Sequence, residues 1–68
     1  VSAGLIAQVR WARRRQLKRN IELAQVASEA LRTVAKDRSN SGDRRGEDLT
    51  TTARLAIDDL IEHLEGRL

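Results

Sequence analysis

The chain contains no cysteine. Disulfides and thiolate metal sites are therefore excluded, and nothing in the cysteine count points to secretion. Proline is absent as well, and glycine occurs at only four positions, so few residues are available to interrupt a helix. Phenylalanine, tyrosine and methionine are missing, which leaves Trp11 as the single aromatic residue. Leucine, isoleucine, valine and tryptophan together number 18 of the 68 residues, so any interior must be aliphatic and thin. In a chain shorter than about 70–80 residues one such core rarely supplies more than ~3–5 kcal/mol without a staple. With disulfides gone, oligomerisation is the staple that remains, and self-association as a dimer or larger bundle is expected.

Long hydrophobic runs are lacking too. The longest uncharged stretch is Val1 to Val9, well short of the ~20 apolar residues that span a bilayer, and no signal-peptide pattern accompanies it. The expectation is a soluble, cytoplasmic protein. Arginine outnumbers lysine 11 to 2 and alanine is abundant, a bias typical of a GC-rich bacterial or phage genome.

What the chain does have is charge, unevenly divided. Residues 1–38 hold nine basic and three acidic side chains, whereas residues 39–68 hold four basic and seven acidic ones. The first part is thus net positive by six and the second net negative by three, within an overall balance of +3. Such asymmetry steers a polyanion to one end, or pairs two copies head to tail.

Periodicity predicts two helices, one from about residue 2 to 36 and one from about 50 to 66. Placed at 100° steps, Leu5, Ile6, Val9, Ala12, Leu23, Ala24, Ala27, Ala30, Leu31 and Val34 share one stripe of the first helix. Arg13, Gln16 and Asn20 interrupt that stripe, while Leu17 and Ile21 fall at its flank. The interruption marks either the end of the core or a polar layer that sets register in an oligomer. In the second helix Ala53, Ala56, Ile57, Leu60, Ile61 and Leu64 form the apolar face, opposite Asp58, Asp59, Glu62 and Glu65. Thr50, Thr51 or Thr52 would supply its N-cap and Gly66 its stop. Leu55 stands alone on the acidic face.

The intervening segment, residues 37–48, is polar, holds Gly42 and Gly46, and contains no apolar side chain. It reads as a flexible linker, longer than the ~2–8 residues usual between helices, and would let the second helix fold back on its own chain or cross to a neighbour. The expected architecture is all-α: one domain over residues 1–68, a helical hairpin in which the short helix packs on Ile21 to Val34. The amino-terminal half of the long helix is then left without an intramolecular cover.

Function is expected on that uncovered half. Arg10, Arg14, Arg15 and Lys18 lie roughly opposite the apolar stripe, with Trp11 among them and Arg19 following. Guanidinium groups pair bidentately with phosphates, and an indole stacks on a base or sugar. A long basic helix entering a groove from a bundle fits this pattern; a helix-turn-helix does not, because no break precedes Asp37. The primary reading is nucleic-acid binding, DNA or RNA, through Arg10, Trp11, Arg14, Arg15, Lys18 and Arg19. A protein partner is the competing reading, with Leu5, Ile6, Val9, Leu17 and Ile21 as the interface, in an oligomer or against another protein. Membrane-surface binding by the same segment is disfavoured, because Trp11 lies off the apolar stripe.

Catalysis is not expected. His63 is the only histidine, and its neighbours Asp59 and Glu62 match no zinc-binding spacing. There is no phosphate-binding glycine loop and no Ser/His/Asp set with room to assemble. No cofactor and no metal are expected.

Overall fold

A computed structural model describes the backbone of residues 2–68 and the side chains of residues 4–68; Val1 lies outside the described residues. Two helices account for nearly all of it: α1, Ser2–Asn40, of 39 residues, and α2, Arg44–Glu65, of 22. They run antiparallel as a hairpin with overall extents of 62 × 14 × 11 Å. At ~1.5 Å per residue α1 is roughly 58 Å long and α2 roughly 33 Å. The length mismatch expected from the sequence is therefore present, and α1 projects beyond the end of α2.

Both helices are longer than their periodicity predicts, and the twelve-residue linker is corrected to a turn of three, Ser41 to Asp43. The polar residues before the turn carry no helix breaker, and Arg38 in the last turn of α1 favours the negative end of the helix dipole. The chain then reverses through a compact pair of backbone hydrogen bonds. The Asp43 amide donates to the Arg38 carbonyl at 2.9 Å and the Gly42 amide to that of Ser39 at 3.1 Å, the pairing that closes a helix around a left-handed residue. Gly42 is that residue, with φ 75°, a conformation costing other L-residues about 1–2 kcal/mol.

Asp43, not a threonine, caps α2. Its Oδ1 accepts from the Gly46 amide at 2.9 Å, while Oδ2 sits 3.7 Å from the Arg38 guanidinium. A side chain at position 46 would collide with the Asp43 carboxylate, so glycine there is what lets the cap close. The threonines expected to cap instead lie within α2. Thr50 donates its hydroxyl to the Gly46 carbonyl at 2.7 Å and Thr52 to that of Asp48 at 2.9 Å, which satisfies them inside a helix.

The helices meet along narrow seams with coiled-coil spacing. On α1 the inward-facing positions are Leu17, Ile21, Ala24, Ser28, Leu31 and Ala35; on α2 they are Glu47, Thr50, Arg54, Ile57, Ile61 and Leu64, with Ala27, Gly46 and Thr51 half-buried at the edges. Small residues at 24, 28 and 35 let the axes approach, while the larger ones fill the space between them. Among the described residues Ile21 is the only buried hydrophobic one, at 7% exposure.

α2 packs on α1 over the expected stretch from Ile21, but along a different edge of its apolar arc. Leu17 and Ile21, assigned to the flank and to an intermolecular interface, are covered within the chain, whereas Leu23 and Val34 remain 58% and 43% exposed. On α2 Leu60 is likewise exposed. A single partner helix covers a seam and not the whole apolar arc, and the hairpin uses the edge of the arc that carries Ile21.

Candidate nucleic-acid interface

The end of α2 defines where the projecting part of α1 begins. Leu68 and Arg67 share a shallow groove with Leu17, Arg14, Arg13 and Arg10. From there toward the amino terminus the described side chains of α1 are all exposed, because no segment of the chain lies beside them.

On this projection the helical repeat collects Trp11, Arg14, Arg15 and Lys18 within an arc of about 100°, and these four side chains line one surface groove. Arg15, Lys18, Arg19 and Glu22 line the next groove along the helix. Trp11 is 64% exposed, with the Arg15 guanidinium carbon 5.3 Å from its ring centroid. That separation is within cation–π range, so the arginine holds the indole on the surface without covering it. Arg10 and Arg19 border this face on opposite sides, each about 40° beyond it.

Electrostatically the face is uncompensated. Among the described residues the one ion pair is Arg38–Asp43; none of Arg10, Arg13, Arg14, Arg15, Lys18 or Arg19 has a carboxylate partner. Arg67 adds to this end of the molecule. Sequence reasoning missed it because it is 53 residues from Arg14; antiparallel pairing about the turn is the signal that relates them.

Leu5, Ile6 and Val9 lie on another side of the projection, all exposed, lining a groove with Arg10 and Arg13. Leu5, Ile6 and Val9 are thus accessible, whereas Leu17 and Ile21 face α2 within the chain.

Among the described residues no three His, Asp or Glu side chains converge as a metal-binding group, the Asp59–Glu62–His63 neighbourhood included. No helix is long and apolar enough to cross a membrane. Comparison with known proteins finds no matching family model, curated sequence or solved structure.

Proposed function

We propose that this protein is a small non-enzymatic module that binds nucleic acid through the projecting half of α1 and works as a homo-oligomer. The observation that carries the reading is the exposed Trp11 among four cations, Arg10, Arg14, Arg15 and Lys18, with no carboxylate partner. Side chains in this arrangement exchange counterions for phosphates, and the indole offers a stacking surface beside them.

The test is a titration of single-stranded and duplex oligonucleotides at several salt concentrations, followed by Trp11 fluorescence. With ~5 phosphate contacts, log K falls against log salt with a slope of about −4 to −5. An affinity that ignores salt, or no binding at low salt, removes the reading.

The exposure of Leu5, Ile6 and Val9 supports a second reading in which the same projection docks on another protein with Trp11 as an anchor. Trp11→Ala would then weaken the complex more than any single arginine change.

A further inference from the structure

Each residue of the apolar stripe beside the seam, exposed except for half-buried Ala27, immediately precedes one that faces the partner helix. On α1, Leu23, Ala27, Ala30 and Val34 stand before Ala24, Ser28, Leu31 and Ala35; on α2, Leu49, Ala53, Ala56 and Leu60 stand before Thr50, Arg54, Ile57 and Ile61. In an antiparallel hairpin, the same step from the inward line on both helices leads to the same side. The two stripes therefore form one continuous uncharged face. The positions that follow the inward ones make the other side, and they include Lys18, Glu22, Glu29, Arg32, Lys36, Asp58 and Glu62.

The α1 stripe continues into the projection as Leu5, Val9, Ala12 and Gln16, and its spacing is symmetric. Read in either direction from between Arg19 and Asn20, positions 16, 12, 9 and 5 mirror positions 23, 27, 30 and 34. We propose that α1 pairs along its length with α1 of a second copy, antiparallel about a two-fold axis beside Asn20. The projection of each copy then lies in the uncharged α1–α2 groove of the other. This inference rests on the self-association proposed above and is independent of nucleic-acid binding.

Three observations select this occupant. The chain exposes 5701 Å², roughly 1,400 Å² more than the ~4,300 Å² of a compact monomer of its mass, and a standard interface removes ~800 Å² from each partner. Antiparallel pairing sets Leu5 against Val34, Val9 against Ala30, Ala12 against Ala27 and Gln16 against Leu23, with Arg19 and Asn20 beside the axis as the polar central layer. Charge excludes the parallel alternative, which would stack the two Arg10–Arg19 segments on each other. The antiparallel one sets that segment against residues 20–29 of the second copy, a stretch with two acidic side chains and no basic one. Trp11, Arg14, Arg15 and Lys18 remain on the far side of α1, open to solvent.

The absence of native cysteine makes a disulfide test clean. Val9→Cys and Ala30→Cys variants, each at an exposed position, are oxidised separately and as a mixture, and molar mass is measured by light scattering over a dilution series of the unmodified chain. The expected result is a species of twice 7.6 kDa, with the Val9→Cys/Ala30→Cys disulfide in the mixture and no homodisulfide from either variant alone. Homodisulfide formation by Val9→Cys alone means parallel pairing and overturns the proposal. A dimeric mass without the mixed disulfide overturns the seam while leaving self-association standing. A mass of 7.6 kDa at every concentration overturns both.

Discussion

The Ser28 hydroxyl donates to the Asp58 carboxylate at 2.6 Å across 30 residues of sequence. It is the one side-chain hydrogen bond between the two helices among the described residues, and it fixes their register at mid-hairpin. Ser28→Ala should lower the thermal midpoint by about 4–8 °C, the equivalent of roughly 1 kcal/mol in a domain of this size. In a double-mutant cycle, adding Asp58→Ala should cost little more, and fully additive losses measured by circular dichroism would mean that the bond contributes nothing.

The turn supplies a sharper contrast. Gly42→Ala should destabilise by about 1–2 kcal/mol because it places a β-carbon on a left-handed backbone. Asp43→Ala should cost about 1 kcal/mol through loss of the cap on Gly46. Thr50→Ala, at the cap position suggested by periodicity, should stay within about 0.5 kcal/mol. Urea melts of the three variants rank them, and a Thr50 effect larger than that of Asp43 would reverse the assignment.

Two residues two positions apart should behave oppositely. Ile21→Ala removes the only buried hydrophobic side chain among the described residues and should cost about 2–4 kcal/mol, most of what so small a core supplies. Leu23→Ala, at an exposed position, should leave stability at high dilution almost unchanged. The proposed pairing predicts instead that it shifts the midpoint of the concentration-dependent mass transition upward. Equal effects of both variants on dilute unfolding would contradict the structure.

On the projecting helix, replacing Arg14, Arg15 and Lys18 together with alanine should reduce the magnitude of the salt slope by about 2–3. Trp11→Ala should weaken single-strand binding by about 1–3 kcal/mol with the slope preserved. Loss of slope on Trp11→Ala would mean that the indole organises the cations and does not stack. Arg67→Ala should change the slope by about one if its groove with Arg10 and Arg14 takes part.

The hairpin and its unequal arms were legible because apolar spacing of three and four residues is hard to produce except on a helix. The turn was not, since a polar, glycine-containing segment is compatible with helix as well as loop, and only the Asp43 cap and the Gly42 conformation decide between them. The seam was misplaced for a different reason. Leu23 and Ile21 both belong to a broad apolar arc, and periodicity gives the arc without saying which edge the partner helix will take. Arg10, Trp11, Arg14, Arg15 and Lys18 could be read as one side of a helix from spacing alone. Arg67 could not, because its place beside them depends on the register of the fold.

The shortness of the Ser41–Asp43 connection bears on how copies come together. Three residues reverse the chain locally, so α2 finds α1 through contacts near in sequence, the regime in which folding is fast. In the proposed dimer each copy would complete its hairpin before meeting another, and exchange of α2 between chains would require that turn to straighten into continuous helix. The proposed association would then be a docking of finished halves, reversible on dilution and free of entanglement.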